Sequence, residues 1–165
     1  LPLRQIRAAT IFTDPITTII HKMKYEGFFG LADLLADLMV EAWPRWQVVV
    51  DGIVPVPLHP DREKKRGYNQ SALLAKRLGK QLGLVYAPGF LRRIRYTQPQ
   101  VGLNAADRLT NVKDAFAVAT GEVAGKHILL VDDVCTTGAT MAAAAQALLA
   151  GGACSVSGYC VARAM

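Results

Sequence analysis

Cysteine is scarce in this chain and never paired: Cys135, Cys154 and Cys160 are the only three, with no C-x-x-C spacing among them. Neither a disulfide framework nor a zinc knuckle is supported, and the thiols are expected to be small buried apolar residues. No apolar run reaches the roughly 18–20 residues that a membrane span needs, and no charged start leads into an apolar signal segment. The expectation is a cytoplasmic protein without membrane insertion. Internal repeats, low-complexity tracts and interdomain linkers are lacking too, so residues 1–165 are expected to form one domain. The chain opens on Leu1 instead of Met, which reads as a fragment.

What is present is apolar and basic. Apolar residues make up 52% of the chain, enough to fill a sizeable core. Nineteen Lys and Arg against thirteen Asp and Glu give a formal charge of +6. The excess clusters in "DREKKRG" and "FLRRIRY", and clustering favours an anionic ligand over a merely solvated face.

Periodicity then orders the elements. Asp14 before Pro15 reads as a helix start, with Ile16, Ile19, Ile20 and Met23 on one stripe. A second stripe, Leu31, Leu34, Leu35, Leu38 and Met39, runs until Pro44 stops it. "QVVVDGIVPVPL" suits one or two buried strands with Gly52 as a break. Leu74, Leu78 and Leu82 recur every four residues in a helix closed near Gly83. Residues 92–103, with Pro99 and Gly102 and no clear period, read as a long loop, the kind that is often functional or mobile. "HILLVDD" is a buried strand, "VCTTGAT" a turn, "TMAAAAQALLAGG" a helix, and "CSVSGYCVAR" a returning strand. Strands alternating with helices predict an α/β fold, a central mostly parallel sheet flanked by helices, with ligands at the carboxyl ends of its strands.

The most informative stretch is "ILLVDDVCTTGAT", residues 128–140. A strand that ends in a tight turn opening a helix presents unpartnered N–H groups and the positive end of the helix dipole, so an anion belongs there. Thr136, Thr137 and Thr140 add hydroxyls, and Gly138 permits positive φ. The dipole contributes only ~0.3–1 kcal/mol, so convergent donors must hold a phosphate. Asp132 and Asp133 stand on the strand side, where carboxylates accept from sugar hydroxyls; a phosphorylated ribose satisfies both halves. A receiver domain leaves the threonine-rich turn unexplained, a Walker loop requires a lysine that does not follow Gly138, and a plain capped core helix leaves the paired acids unexplained.

These thirteen residues resemble the phosphoribosyl pyrophosphate (PRPP) signature of type I phosphoribosyltransferases. "VPVPLHPDREKKRGYNQSALLA" (54–75), "RIRYTQPQVGLNAADRLTNVKDAF" (93–116) and "KMKYEGFFGLA" (22–32) are similar to one branch, the ComF or GntX-like competence-associated family. The resemblance implies a type I phosphoribosyltransferase-like fold with a mobile hood loop, and a helical part, 14–43, packed on it. Members commonly carry an N-terminal cysteine-rich zinc ribbon. These residues contain none, so zinc is not carried over.

The resemblance also distributes roles. Thr136, Thr137, Gly138, Ala139 and Thr140 hold the 5-phosphate, with Asp132 and Asp133 on the ribose hydroxyls. Arg62 and Arg66, with His59, face pyrophosphate, although His59 could equally anchor a loop. Asn69 and Gln70 open the next helix as supporting residues, Asn69 being either an N-cap or a ligand contact. Arg93, Arg95, Thr97 and Gln100 belong to the hood that closes over PRPP, and Arg108 and Asn111 either support the site or brace that loop. Lys24 and Tyr25 match the pattern without an independent reason for contact. Mg²⁺, held mainly through PRPP oxygens, is the implied cofactor, with no fixed protein ligand. Thr136 stands where purine-salvage enzymes often place an acid, which argues against simple purine salvage. The implied activity is phosphoribosyl transfer with pyrophosphate release to an unknown acceptor. The alternative is a module of DNA uptake that binds PRPP or single-stranded DNA without turnover, with Tyr68 and Tyr96 in the basic stretches as stacking candidates. Its further partners would be a second copy or a component of the competence machinery.

Overall fold

The computed structural model describes residues 2–43, 47–118 and 121–165. Its centre is a four-stranded, wholly parallel sheet in the order β1-β6-β5-β2. The strands are β1 (Ile6–Ile11), β2 (Gly52–Pro55), β5 (His127–Cys135) and β6 (Ser155–Arg163). A separate antiparallel pair, β3 (Leu91–Arg93) and β4 (Phe116–Val118), lies between β2 and β5 in sequence. The helices are α1 (Ile16–Tyr25), α2 (Leu31–Ala42), α3 (Pro60–Arg66), α4 (Gln70–Leu82), α5 (Ala105–Val112) and α6 (Ala139–Ala150). This is the α/β arrangement expected.

Helices cover both faces, which is why β2, β5 and β6 are apolar almost throughout. Alternation in β5 sends Ile128 and Leu130 toward α6, and Leu129 and Val131 toward the layer of α1, α2 and α4. Gly158 in β6 lets α6 come close: a Cβ there would meet Met141 Sδ at 2.5 Å. On the other face the Tyr159 hydroxyl donates to the Met39 carbonyl at 2.6 Å, tying α2 to the sheet. Leu74 and Leu78 of α4 are fully buried, each contributing about 1.5–3 kcal/mol of transfer free energy.

Several expectations need correction. β1 was not anticipated; it pairs with β6 from Ile6↔Gly158 to Ile11↔Arg163. Helix α1 begins at Ile16, with Asp14 accepting from the Thr17 and Thr18 hydroxyls, and Ile20 and Met23 carry its buried stripe. In α2, Ala32, Leu35, Ala36 and Met39 are buried, whereas Leu34 is 55% exposed, because the core stripe is narrower than the run of leucines. Pro44, the expected stop, lies outside the described residues; α2 ends at Ala42. Gly52 opens β2 instead of breaking it. Cys154 is exposed, while Cys135 and Cys160 are buried. The expected 92–103 loop begins two residues late, at Ile94, since Arg92 and Arg93 belong to β3.

Candidate functional site

β5 runs through both acids to Cys135 and outlasts β2, whose last paired residue is Pro55 opposite Val131. The carboxyl end of β5 therefore opens onto a cleft of about 890 Å³. Its floor is the continuous run Asp132–Met141. The turn that carries the chain from β5 into α6 depends on Gly138, which has φ +84°. A Cβ at that position would approach Ile6 Cδ1 to 3.2 Å. The Thr137 hydroxyl accepts from the Ala139 N–H at 3.3 Å, so the opening turn of α6 is organised around this bend. Residues 136–140, expected to hold a phosphate, form the turn and the first residues of α6 on the cleft floor.

The paired acids have different surroundings. Asp133 is 2% exposed; its Oδ1 accepts from the Val134 N–H at 2.7 Å, and its Oδ2 lies 3.1 Å from Lys24 Nζ. Asp132 is half-buried, and its Oδ1 accepts from the Ser71 hydroxyl at 2.8 Å and the Asp133 N–H at 2.9 Å. Desolvation, reinforced by the neighbouring Asp133 charge, pushes the Asp132 carboxyl up to about 7. Burial works against the Lys24 ammonium, but Asp133 and then Asp132 outweigh it and leave its pKa above the ordinary value.

Helix α3 supplies the basic wall. Arg62 and Arg66 lie one turn apart on the face that lines the cleft. Arg62 donates to the Thr97 carbonyl at 2.6 Å and stacks 5.0 Å from the Tyr96 ring centre. Arg66 bonds Gln70 and sits over Tyr25 at 5.8 Å. Arg93, on β3, is 8% exposed, lies 4.9 Å from the Phe116 ring centre and reaches the Pro57 carbonyl at 3.4 Å. Its Nε has no hydrogen-bond partner. Burial, with the Arg62 charge, lowers its pKa to about 10. A cation buried with little compensation beside a cleft is poised for an anion.

The loop between β3 and α5 forms the roof. Gln100 donates to the Thr140 hydroxyl at 3.1 Å, and Arg108 donates to the Thr136 hydroxyl at 2.6 Å. Asn111 braces the loop from behind, donating to the Gln98 carbonyl at 2.8 Å and accepting from its N–H at 3.1 Å. The molecule's own side chains thus touch two of the turn's hydroxyls while leaving the cleft open.

Among the expected residues, 132, 133 and 136–140 line the cleft together with Arg62, Arg66, Gln70, Arg93, Gln100 and Arg108. Lys24, Tyr25 and Tyr96 line it too, whereas His59, Tyr68, Asn69, Arg95, Thr97 and Asn111 do not. His59 caps α3, accepting from the Asp61 N–H at 3.2 Å. Asn69 caps α4 at Ser71 and donates to the Val56 carbonyl at 3.2 Å, the simpler of its two expected roles. Arg95 reaches the Asn111 and Lys113 carbonyls, and Thr97 is buried at 3% exposure. Tyr68 is committed to the Met23 carbonyl and packs against Phe29. Sequence reading missed Ser71, whose only signal was a hydroxyl in the first turn of α4.

Comparison with known proteins agrees with this architecture. Residues 68–165 match the family described as the phosphoribosyl transferase domain, and the chain belongs to it. It is 34% identical to the DNA utilization protein YhgH of Salmonella typhi over 99% of this chain and 74% of that protein. It is 35% identical to competence protein F of Haemophilus influenzae over 79% of this chain and 60% of that protein, and 30% identical to competence protein ComFC of Bacillus subtilis over 99% and 66%. These relatives put the chain in the ComF-like branch of the family. Among solved structures, glutamine PRPP amidotransferase from B. subtilis superposes with a TM-score of 0.51 at 23% identity, over 77% of this chain and 25% of that longer one. That likeness concerns the fold, which is the type I phosphoribosyltransferase fold. Among the described residues no helix is long and apolar enough to cross a membrane.

Proposed function

We propose that the cleft binds PRPP and transfers its phosphoribosyl group, with release of pyrophosphate, to an acceptor still to be identified. The single observation that carries this reading is the left-handed Gly138 turn, which gathers the hydroxyls of Thr136, Thr137 and Thr140 around the start of α6 on the same cleft floor as Asp132. The 5-phosphate fits the turn. The ribose then lies toward Asp132, and the pyrophosphate toward Arg62, Arg66 and Arg93.

The residues fit magnesium held by the substrate. Mg²⁺ keeps much of its water shell and needs no all-protein cage; Asp132, whose hydrogen bonds all fall on Oδ1, is the carboxylate available to a metal-bound water. Bound there, the ion would offset charge on the leaving pyrophosphate. The chain's own part is positioning and charge. Orientation supplies up to about 7–11 kcal/mol of a barrier, and one aimed donor about 2.7–4. The docked loop, through Gln100 and Arg108, closes over the ribosyl centre and keeps water from the cation that forms as pyrophosphate departs.

The test is direct titration of PRPP with magnesium, followed by pyrophosphate release assayed across nucleobases, amines and DNA. Saturable binding that Asp132→Asn removes supports the site, and release with one acceptor class supports the activity.

A second reading keeps the ligand and drops the turnover: a PRPP- or single-stranded-DNA-binding module in DNA uptake. The relatives' names and the Tyr96 ring, 57% exposed beside Arg62 at the cleft, favour it. Under that reading log affinity for single-stranded DNA falls with log salt at a slope of about −0.7 per phosphate contact. A flat response contradicts it.

A further inference from the structure

The two neighbouring acids at the end of β5 are expected to do the same work, yet their partners separate them. In Asp133, Oδ1 accepts from the Val134 N–H, while the buried Oδ2 accepts no hydrogen bond and is held only by the charge of Lys24 from the first helix, 3.1 Å away. The residue is 2% exposed, so a sugar hydroxyl could reach it only by displacing an ammonium that is itself mostly buried. Such a displacement strands a charge away from water and is strongly disfavoured. Asp132 differs: both of its hydrogen bonds fall on Oδ1, and among the described residues Oδ2 accepts from no side chain or N–H. It lines the cleft with an oxygen to spare.

We infer that Asp132 alone reads the ribose hydroxyls, and that Lys24 is a positioning residue that locks Asp133 into the wall and fixes helix α1 to the strand end bearing Asp132. The inference rests on the PRPP reading above. It gives the "KMKYEG" segment a task that sequence alone did not supply. Lys24 also offsets the repulsion of Asp133 on Asp132, so Asp132 can hold its charge when a ligand arrives. Asp132 is steadied from the other side by Ser71 of α4. Two helices distant in sequence therefore hold one carboxylate in register with the phosphate turn.

The experiment measures PRPP binding with Mg²⁺, together with thermal unfolding, on the same chain in five variants. Lys24→Met or Asp133→Asn alone strands the partner charge or leaves it unmatched, and lowers Tm by about 6–20 °C. Lys24→Met also weakens PRPP by about tenfold, and Lys24→Arg restores it. In the double variant Lys24→Met/Asp133→Asn the charges are balanced again, Tm recovers to within a few degrees, and PRPP affinity stays within about threefold of wild type. Asp132→Asn loses about tenfold or more in PRPP affinity with Tm unchanged or raised. Where a single variant fails to fold, the double variant and Lys24→Arg decide. A double variant that loses PRPP as severely as Asp132→Asn overturns the inference, because Asp133 would then touch the ribose. A wild-type chain that takes up no PRPP is a separate result: it removes the function reading, and this inference with it.

Discussion

Arg108 donates to the hydroxyl of Thr136 at 2.6 Å, so the start of α5 reaches across the cleft to the turn that follows β5. With Gln100 on Thr140, this docks the loop on the turn through two polar contacts, while Arg62 of α3 holds its near end at the Thr97 carbonyl. A lid held in this way opens easily.

Replacing both contacts, Arg108→Ala with Gln100→Ala, is therefore expected to free the loop without unfolding the protein. A loss of about 1 kcal/mol of local stability speeds amide exchange in residues 96–104 by about fivefold. Hydrogen exchange followed by mass spectrometry reads this directly, and unchanged exchange there contradicts the docking.

Gly138→Ala tests the turn. An L-residue at φ +84° costs about 1–2 kcal/mol, and the added Cβ crowds Ile6 at 3.2 Å. Tm is expected to fall by a few degrees and PRPP affinity to fall with it. A variant that binds as tightly as wild type removes the turn from the site.

Arg93→Met separates stability from function. The guanidinium is buried, no carboxylate lies within salt-bridge distance of it among the described residues, and its pKa is lowered to about 10, so the fold gains little from the charge. An apolar side chain of similar length should leave Tm unchanged or higher. Inorganic pyrophosphate should bind at least about tenfold more weakly. A large drop in Tm with unchanged pyrophosphate affinity reverses the assignment.

Asp132 gives the pH dependence its sign. Its folded pKa, about 7, lies above the value of about 4 in an unfolded chain, so the folded state holds the extra proton between those limits. Stability that is full at low pH is lost as pH rises from about 4 to about 7, and is then level in this residue. PRPP affinity runs the other way, rising between about pH 6 and 8 as the acceptor becomes charged. Denaturant melts and titrations at pH 5, 6, 7 and 8 check both trends, and Asp132→Asn should flatten each.

The segment β5–turn–α6 was legible because its signals are local: an apolar run, two acids, small hydroxyl residues and a glycine, all within one βα unit. The same holds for α4, whose leucines repeat at helical spacing and whose Asn69 and Gly83 mark its ends. β1 was hidden, since "IRAATI" is a half-buried edge strand that acquires its identity only by pairing with β6 at the opposite end of the chain. Leu34 was misplaced because a run of leucines does not state how wide a face the partner covers. Lys24 on Asp133 and Ser71 on Asp132 were out of reach for a similar reason, as each joins residues brought together only by the packing of α1 and α4 on the sheet. Arg95 looks like a ligand residue in sequence, but its guanidinium is spent on the Asn111 and Lys113 carbonyls; Thr97 is buried, with its carbonyl accepting from Arg62 of α3 and its hydroxyl unpartnered.

The central claim is tested most directly by calorimetric titration of PRPP into the wild-type chain, with magnesium and with the metal removed by chelation. The account predicts saturable binding at one site that depends on magnesium and is lost in Asp132→Asn. Wild-type protein that releases no binding heat and shows no thermal stabilisation at millimolar PRPP with magnesium present would contradict it.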